Sequence, residues 1–179
     1  MPIKKIRPVT IGQRNISVQD FSDVTTDKPE KSLIISRKNK AGRNGGKIAV
    51  RHQGGGHKKF IREVDFTRSR YDIPATVKSV EYDPNRGARI SLVTYKDGVK
   101  SYVLTPDGMK VGDVIVSSLT EAEILPGNRL PLQKIPVGTT IHSVELAPGK
   151  GGQLGHGAGS RIEFMAIEDD FAVIKLPSG

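Results

Sequence analysis

Cysteine and tryptophan are absent from this chain of 179 residues, and aromatic side chains make up only 5% of it. Without cysteine there is no disulfide framework, no thiolate-ligated zinc or iron–sulfur site and no cysteine nucleophile. No uncharged apolar run approaches the ~20 residues of a transmembrane helix, so no membrane partner is expected. The amino end, MPIKKIRPVT, is basic but is not followed by an apolar stretch, and so does not read as a secretory signal. Acids at Asp20 and Asp23 speak against a transit peptide.

Catalytic motifs are missing as well. Lys47 is followed by Ile48 and Lys150 by Gly151, so neither glycine loop is a Walker loop, and no GxGxxG occurs. The four histidines, His52, His57, His142 and His156, form no HExxH, and no serine sits in a GxSxG elbow. Glu168-Asp169-Asp170 lies between two strand-like runs and reads as a solvated turn. The expectation is a protein with no enzymatic activity, no cofactor and no metal.

What the chain does have is positive charge, and it is unevenly placed. The net charge is +9, yet residues 1–70 carry 17 basic and 6 acidic side chains against 11 and 13 in residues 71–179. A basic amino-terminal portion on a near-neutral body points to a polyanion partner; a solubilising charged tail is the alternative. Residues 37–59, RKNKAGRNGGKIAVRHQGGGHKK, hold six glycines and eight Lys/Arg. Each glycine costs a helix about 1 kcal/mol relative to alanine, so the stretch is a loop. Its glycines leave backbone amides open to phosphate oxygens, beside Lys38, Lys40, Arg43, Lys47, Arg51, His52, His57, Lys58 and Lys59. Arg62, Arg68 and Arg70 interleave with Phe60, Phe66 and Tyr71. Those rings could stack on bases, although FIREVDF also reads as a strand with its aromatics packed inward. Arg86, in the turn of YDPNRGAR, is a candidate phosphate or base-edge contact, with a surface salt bridge as the alternative. A second glycine loop, APGKGGQLGHGAG at 147–159, adds Lys150 and His156. The absence of a recognition helix and the irregular loops favour folded RNA over DNA.

The pattern of apolar residues predicts a mainly β protein in three parts. Residues 1–72 form an extended basic arm, with Pro2, Pro8 and Pro29 limiting helix and SLIIS at 32–36 able to form one strand. Residues 73–125 carry the runs TVKSVEYD (76–83), ARISLVTY (88–95), KSYVLT (100–105) and DVIVSS (113–118), separated by turn signals and suited to a small barrel. Residues 126–179 open with a Pro-rich linker and continue as TTIHSVEL (139–146), SRIEFMAI (160–167) and FAVIKL (171–176). Three strands are thin for a closed barrel, so this part is expected to be incomplete as written.

Several strings together resemble one family, the large-subunit ribosomal protein L-two (uL-two) family. They are GRNGGKIAVRHQGGGHKK at 42–59, EYDPNRGARISLVTY at 81–95, GNRLPLQKIPVGTTIHSVEL at 127–146, PGKGGQL at 148–154 and LPSG at 176–179. The resemblance implies an OB-fold-like barrel over 73–125 and the start of an SH3-like barrel over 126–179, with the arm threading into RNA. It implies a structural constituent of the large ribosomal subunit that binds its ribosomal RNA, meets other ribosomal proteins, and supports subunit association and the peptidyl-transferase region. It also implies a cytoplasmic bacterial ribosome, with an organellar ribosome as the alternative. The family's turn arginine is matched by Arg86. The family's second glycine loop reads GGxLxRSAG; here GGQLGHGAG puts His156 where the arginine stands, and a neutral imidazole is a weaker phosphate ligand. Family members also continue past LPSG, so a separate chain supplying that segment is an expected partner. A free OB-fold regulator of single-stranded nucleic acid or mRNA is the competing function, and the scarcity of aromatics argues against it.

Overall fold

The structure is a computed structural model that describes residues 2–36, 42–53 and 57–179. It is mainly β, with short 3-10 turns and no α-helix among the described residues. The centre is an antiparallel sheet of four strands, β7 (Ala75–Tyr82), β8 (Arg89–Tyr95), β9 (Lys100–Leu104) and β10 (Val114–Ile115), in the order β10-β7-β8-β9. These are the β-branched runs of the sequence, joined where its turn signals stand: Gly98 N–H closes on the Tyr95 carbonyl at 2.9 Å, and Arg86 N–H on the Asp83 carbonyl at 3.2 Å. The last run is shorter than its pattern suggests. After Ile115 the chain leaves β7, and Ser117 and Ser118 pair instead with Arg129.

Both faces of this sheet are apolar. Ala75, Val77, Val93, Tyr95, Val103, Met109 and Ile115 form the barrel interior, a curled half-barrel of OB-like form. The opposite face buries Ala88, Ile90, Tyr102 and Leu104, with Leu92 beside them. A register shift between Val77 and Ser79 leaves Lys78 unpaired. The extra residue reverses the alternation, so Ser79 and Glu81 share the outer face with Tyr102.

That outer face is covered by residues 20–36 and 57–72. They include β3 (Ile34–Ser36), which pairs antiparallel with β6 (Phe60–Arg62), and they lay Leu33, Val64 and Phe66 on the apolar cluster. The same segments occupy both edges of the sheet. Thr26 bridges Glu81 on the β7 side, and Val64 bridges Tyr102 on the β9 side. Unpaired sheet edges are a liability, and here short parallel bridges satisfy them. Ahead of this cover, β1 (Ile3–Lys5) and β2 (Ser17–Gln19) make an exposed hairpin.

A buried polar knot fastens the cover. The Tyr102 hydroxyl donates to Glu81 Oε2 at 2.8 Å and accepts the Glu30 N–H at 2.8 Å, while Ser79 Oγ donates to Glu81 Oε1 at 3.0 Å. Tyr102 is 0% exposed, and burial pushes its phenol pKa well up, keeping the donor proton in place.

The carboxyl-terminal portion is a three-stranded antiparallel sheet in the order β11-β12-β13, built from β11 (Thr140–Ile141), β12 (Ile162–Glu168) and β13 (Phe171–Lys175). Ile162 and Phe164 are fully buried, whereas Phe171 and Val173 of β13 are exposed. The run 139–146 is a strand only at its first end. Ser143 lies at φ 51°, and Gly152 packs so closely that a Cβ there would overlap the Ser143 hydroxyl and carbonyl. Val144 then bridges Leu154. The glycine loop thus replaces a longer strand, a constraint that periodicity does not display.

Tyr102→Phe removes the donor to a buried carboxylate and the acceptor of a half-buried amide. It should cost about 1–3 kcal/mol, measured as a lower urea midpoint with unchanged far-UV circular dichroism.

Candidate nucleic-acid interface

Two cationic surfaces emerge, and they are built differently. The first is β4 (Arg43–Asn44) and β5 (Lys47–Ile48), a two-residue-loop hairpin turning at Gly45 and Gly46. Its base is held by the Ala49 N–H donating to the Gly42 carbonyl at 3.0 Å. Every residue from Arg43 to Gln53 is exposed, so Arg43, Lys47, Arg51 and His52 all face solvent. His57, Lys58 and Lys59 are exposed as well. Lys38 and Lys40, and glycines 54–56, lie outside the described residues.

The second surface is a chain of contacts across three segments. Lys58 Nζ sits 5.5 Å from the Phe60 ring centre, and Asn85 Nδ2 donates to the Phe60 carbonyl at 2.7 Å. Arg86, next in the turn, lies 5.5 Å over the Phe66 ring. His156 stacks on that ring at 4.5 Å with 17° between the planes. The second glycine loop is pinned alongside by the Gly152 N–H donating to the Phe66 carbonyl at 3.0 Å, with Lys150 exposed next to it. Phe60 and Phe66 are half-buried scaffolding for these cations rather than free platforms for bases.

Arg86 itself is half-buried and ion-paired to Asp83 Oδ2 at 2.7 Å. Asp83 is 0% exposed and also accepts from the Asn85 N–H at 2.9 Å. The aspartate thus sets both the turn and the direction of the guanidinium.

Three arginines expected at the interface make contacts within the chain. Arg62 is 7% exposed and donates to the Phe60 carbonyl at 2.9 Å. Arg68 is half-buried, with its backbone at φ 45°, and donates to the Gly127 carbonyl at 2.6 Å, tying the cover to the linker. Arg70 is ion-paired with Asp97 and lies 5.4 Å over the Tyr95 ring. Arg89 behaves alike: it is 4% exposed, holds both oxygens of Asp23 at 3.0 Å and lies 4.9 Å over Phe21. Its hydrogen bond draws the Asp23 carboxyl below its ordinary pKa. Sequence spacing alone cannot separate such arginines from exposed ones, because the partner carboxylate comes from 66 residues away.

Two family models match the chain. Ribosomal Proteins L2, RNA binding N-terminal domain, matches residues 30–117, and Ribosomal Proteins L2, C-terminal domain, matches residues 125–179. The chain belongs to the ribosomal protein L2 family. Its role is that of a structural, RNA-binding ribosomal protein, with ribosomal RNA and the ribosome as its partners. Every candidate RNA-contact residue except Lys150 and His156 falls within the model of the family's RNA-binding domain.

Both histidines of the second half titrate low. Burial lowers the pKa of His142, with the neighbouring Arg68 charge adding to it. Burial also lowers that of His156, and Arg86 acts in the same direction. Protonation therefore favours the unfolded chain, where the imidazoles keep their ordinary value of 6.5. Their contribution to stability should be complete above pH 6.5, decline as pH falls below it, and level off beneath the folded values. Urea titrations between pH 8 and 5 should show that decline, and His142→Gln should reduce it, leaving the part due to His156.

Proposed function

We propose that this L2-family chain is a structural constituent of the large ribosomal subunit. It binds large-subunit ribosomal RNA through residues 42–59, the Arg86 turn and the second glycine loop, and supports subunit association and the peptidyl-transferase region. The observation that carries this reading is the segregation of charge in three dimensions. The exposed hairpin and its flanks bear Arg43, Lys47, Arg51, Lys58 and Lys59, none of them ion-paired among the described residues, and no acidic residue occurs from Lys31 to Arg62. The boundaries 1–72, 73–125 and 126–179 divide the labour. The first part supplies most of the charge, the second is the OB-like scaffold, and the third carries the loop with Lys150 and His156. Lys38 and Lys40 continue the same basic stretch. A bacterial cytoplasmic ribosome is the proposed setting.

Within this reading Arg62 and Arg68 hold the scaffold and do not touch RNA. Arg86 is the residue that joins the two roles, since Asp83 and Phe66 fix its guanidinium at the edge of the contact face. The alternative of a free regulator binding single strands would need base-stacking platforms beside the basic segment, and there Phe60 and Phe66 are engaged by cations and an imidazole.

Neutralising about 6–10 phosphates predicts a fall in affinity of about 10³–10⁵-fold between 50 and 200 mM salt. Filter binding to protein-free ribosomal RNA measures it, and a flat response would count against the reading. Arg86→Ala should weaken binding by about 1–3 kcal/mol, the range for a charge-assisted hydrogen bond. A thermal melt of the same variant separates this loss from any effect of leaving Asp83 unpaired. Sedimentation of the chain only in free fractions, never with large subunits, would favour the regulator.

A further inference from the structure

The hairpin tip carries two adjacent glycines at φ 55° and 75°, the left-handed values of a turn that closes a two-residue hairpin. The second position of such a turn calls for glycine. The first accepts asparagine or aspartate equally well, so turn geometry does not demand Gly45. Packing does not demand it either, because a Cβ at Gly45 or Gly46 would meet nothing within 4 Å. Glycine at the first position even carries an entropic cost on folding. Nor does the hairpin serve a core: strands of two residues are far too short to be stable by burial, and all of Arg43–Gln53 is exposed. The tip is thus a bare piece of backbone presented to solvent. Among the described residues, no hydrogen bond takes up the Gly45 or Gly46 N–H. Lys47 flanks the tip directly, and Arg43 follows one pair further down, opposite Ile48.

We propose that this tip is a backbone contact point for the sugar–phosphate chain of folded RNA. The Gly45 and Gly46 amides donate to a phosphate at a distance that any Cβ would prevent, while Lys47 and Arg43 neutralise its charge. Phosphate contacts of this kind set position without reading base sequence. The inference rests on the RNA-binding reading above and adds to it where the chain meets the RNA and why glycine is needed there.

The test uses the full chain and protein-free ribosomal RNA in filter binding across a salt series. Gly45→Asn keeps an Asn-Gly turn and the net charge but places a side chain at the tip. The Ala49 amide, bonded to Gly42, reports by NMR that the hairpin persists. Gly46→Val breaks the turn. Gly45→Asn should bind about tenfold more weakly with an unchanged salt slope, the size of effect of losing one charge-assisted hydrogen bond. Gly45→Asp, which keeps the turn but adds a negative charge, should bind more weakly still. Binding by Gly45→Asn within twofold of the unaltered chain overturns the proposal. It does so even if Gly46→Val binds poorly, since hairpin shape and not room at the tip would then matter. Failure of the underlying RNA reading looks different: the unaltered chain itself would show no salt-dependent binding.

Discussion

A sheet that is apolar on both faces cannot stand alone, and much of this molecule follows from that. The interior side of β7–β10 closes on itself around Val77, Val93, Tyr95 and Ile115. The other side must be covered by something, and the basic amino-terminal segment is what covers it, through Leu33, Val64 and Phe66. That segment has too few apolar residues to make a core of its own, so it borrows one. In return it fills both open edges of the sheet and supplies the Glu30 amide to Tyr102. The Tyr102–Glu81 hydrogen bond is buried, where low polarity strengthens it and makes its loss costly. Register, edge protection and placement of the cover therefore meet at one tyrosine.

This arrangement explains how a chain with strong self-repulsion at one end folds at all. Of the arginines in or near the cover, Arg62 bonds to a carbonyl, Arg70 to Asp97 and Arg89 to Asp23. Each guanidinium is delocalised and weakly hydrated, which suits it to partly buried pairing better than an ammonium. The lysines of the same region, Lys47, Lys58 and Lys59, stay exposed. Within residues 57–89 the basic residues divide by chemistry: Arg62, Arg68, Arg70, Arg86 and Arg89 are at least half-buried while Lys58, Lys59 and Lys78 keep to the surface.

The sequence made the strands of the central sheet legible because β-branched residues and turn signals alternate over 75–104, and Asp97-Gly98 turns where its residue types require. It also made the glycine-rich basic loop legible, since no core could be built from it. It did not show that Phe66 would be a platform shared by Arg86 and His156, because those three residues come from segments far apart in the chain. Nor did it show the breaks in the runs at 113–118 and 139–146. Both fail as continuous strands for tertiary reasons: the pairing of Ser117 and Ser118 with Arg129, and the close approach of Gly152 to Ser143. Such contacts carry no periodic signature.

The count of basic residues overstates the charge available to RNA, and the structure says by how much in kind. Buried arginines such as Arg62 and Arg89, bonded to a carbonyl and a carboxylate, contribute to the field but offer little surface to a phosphate. Those on the hairpin are exposed and make no ion pair among the described residues. On this reasoning the affinity of the basic segment depends less on how many lysines and arginines it holds than on which of them the fold leaves unpaired.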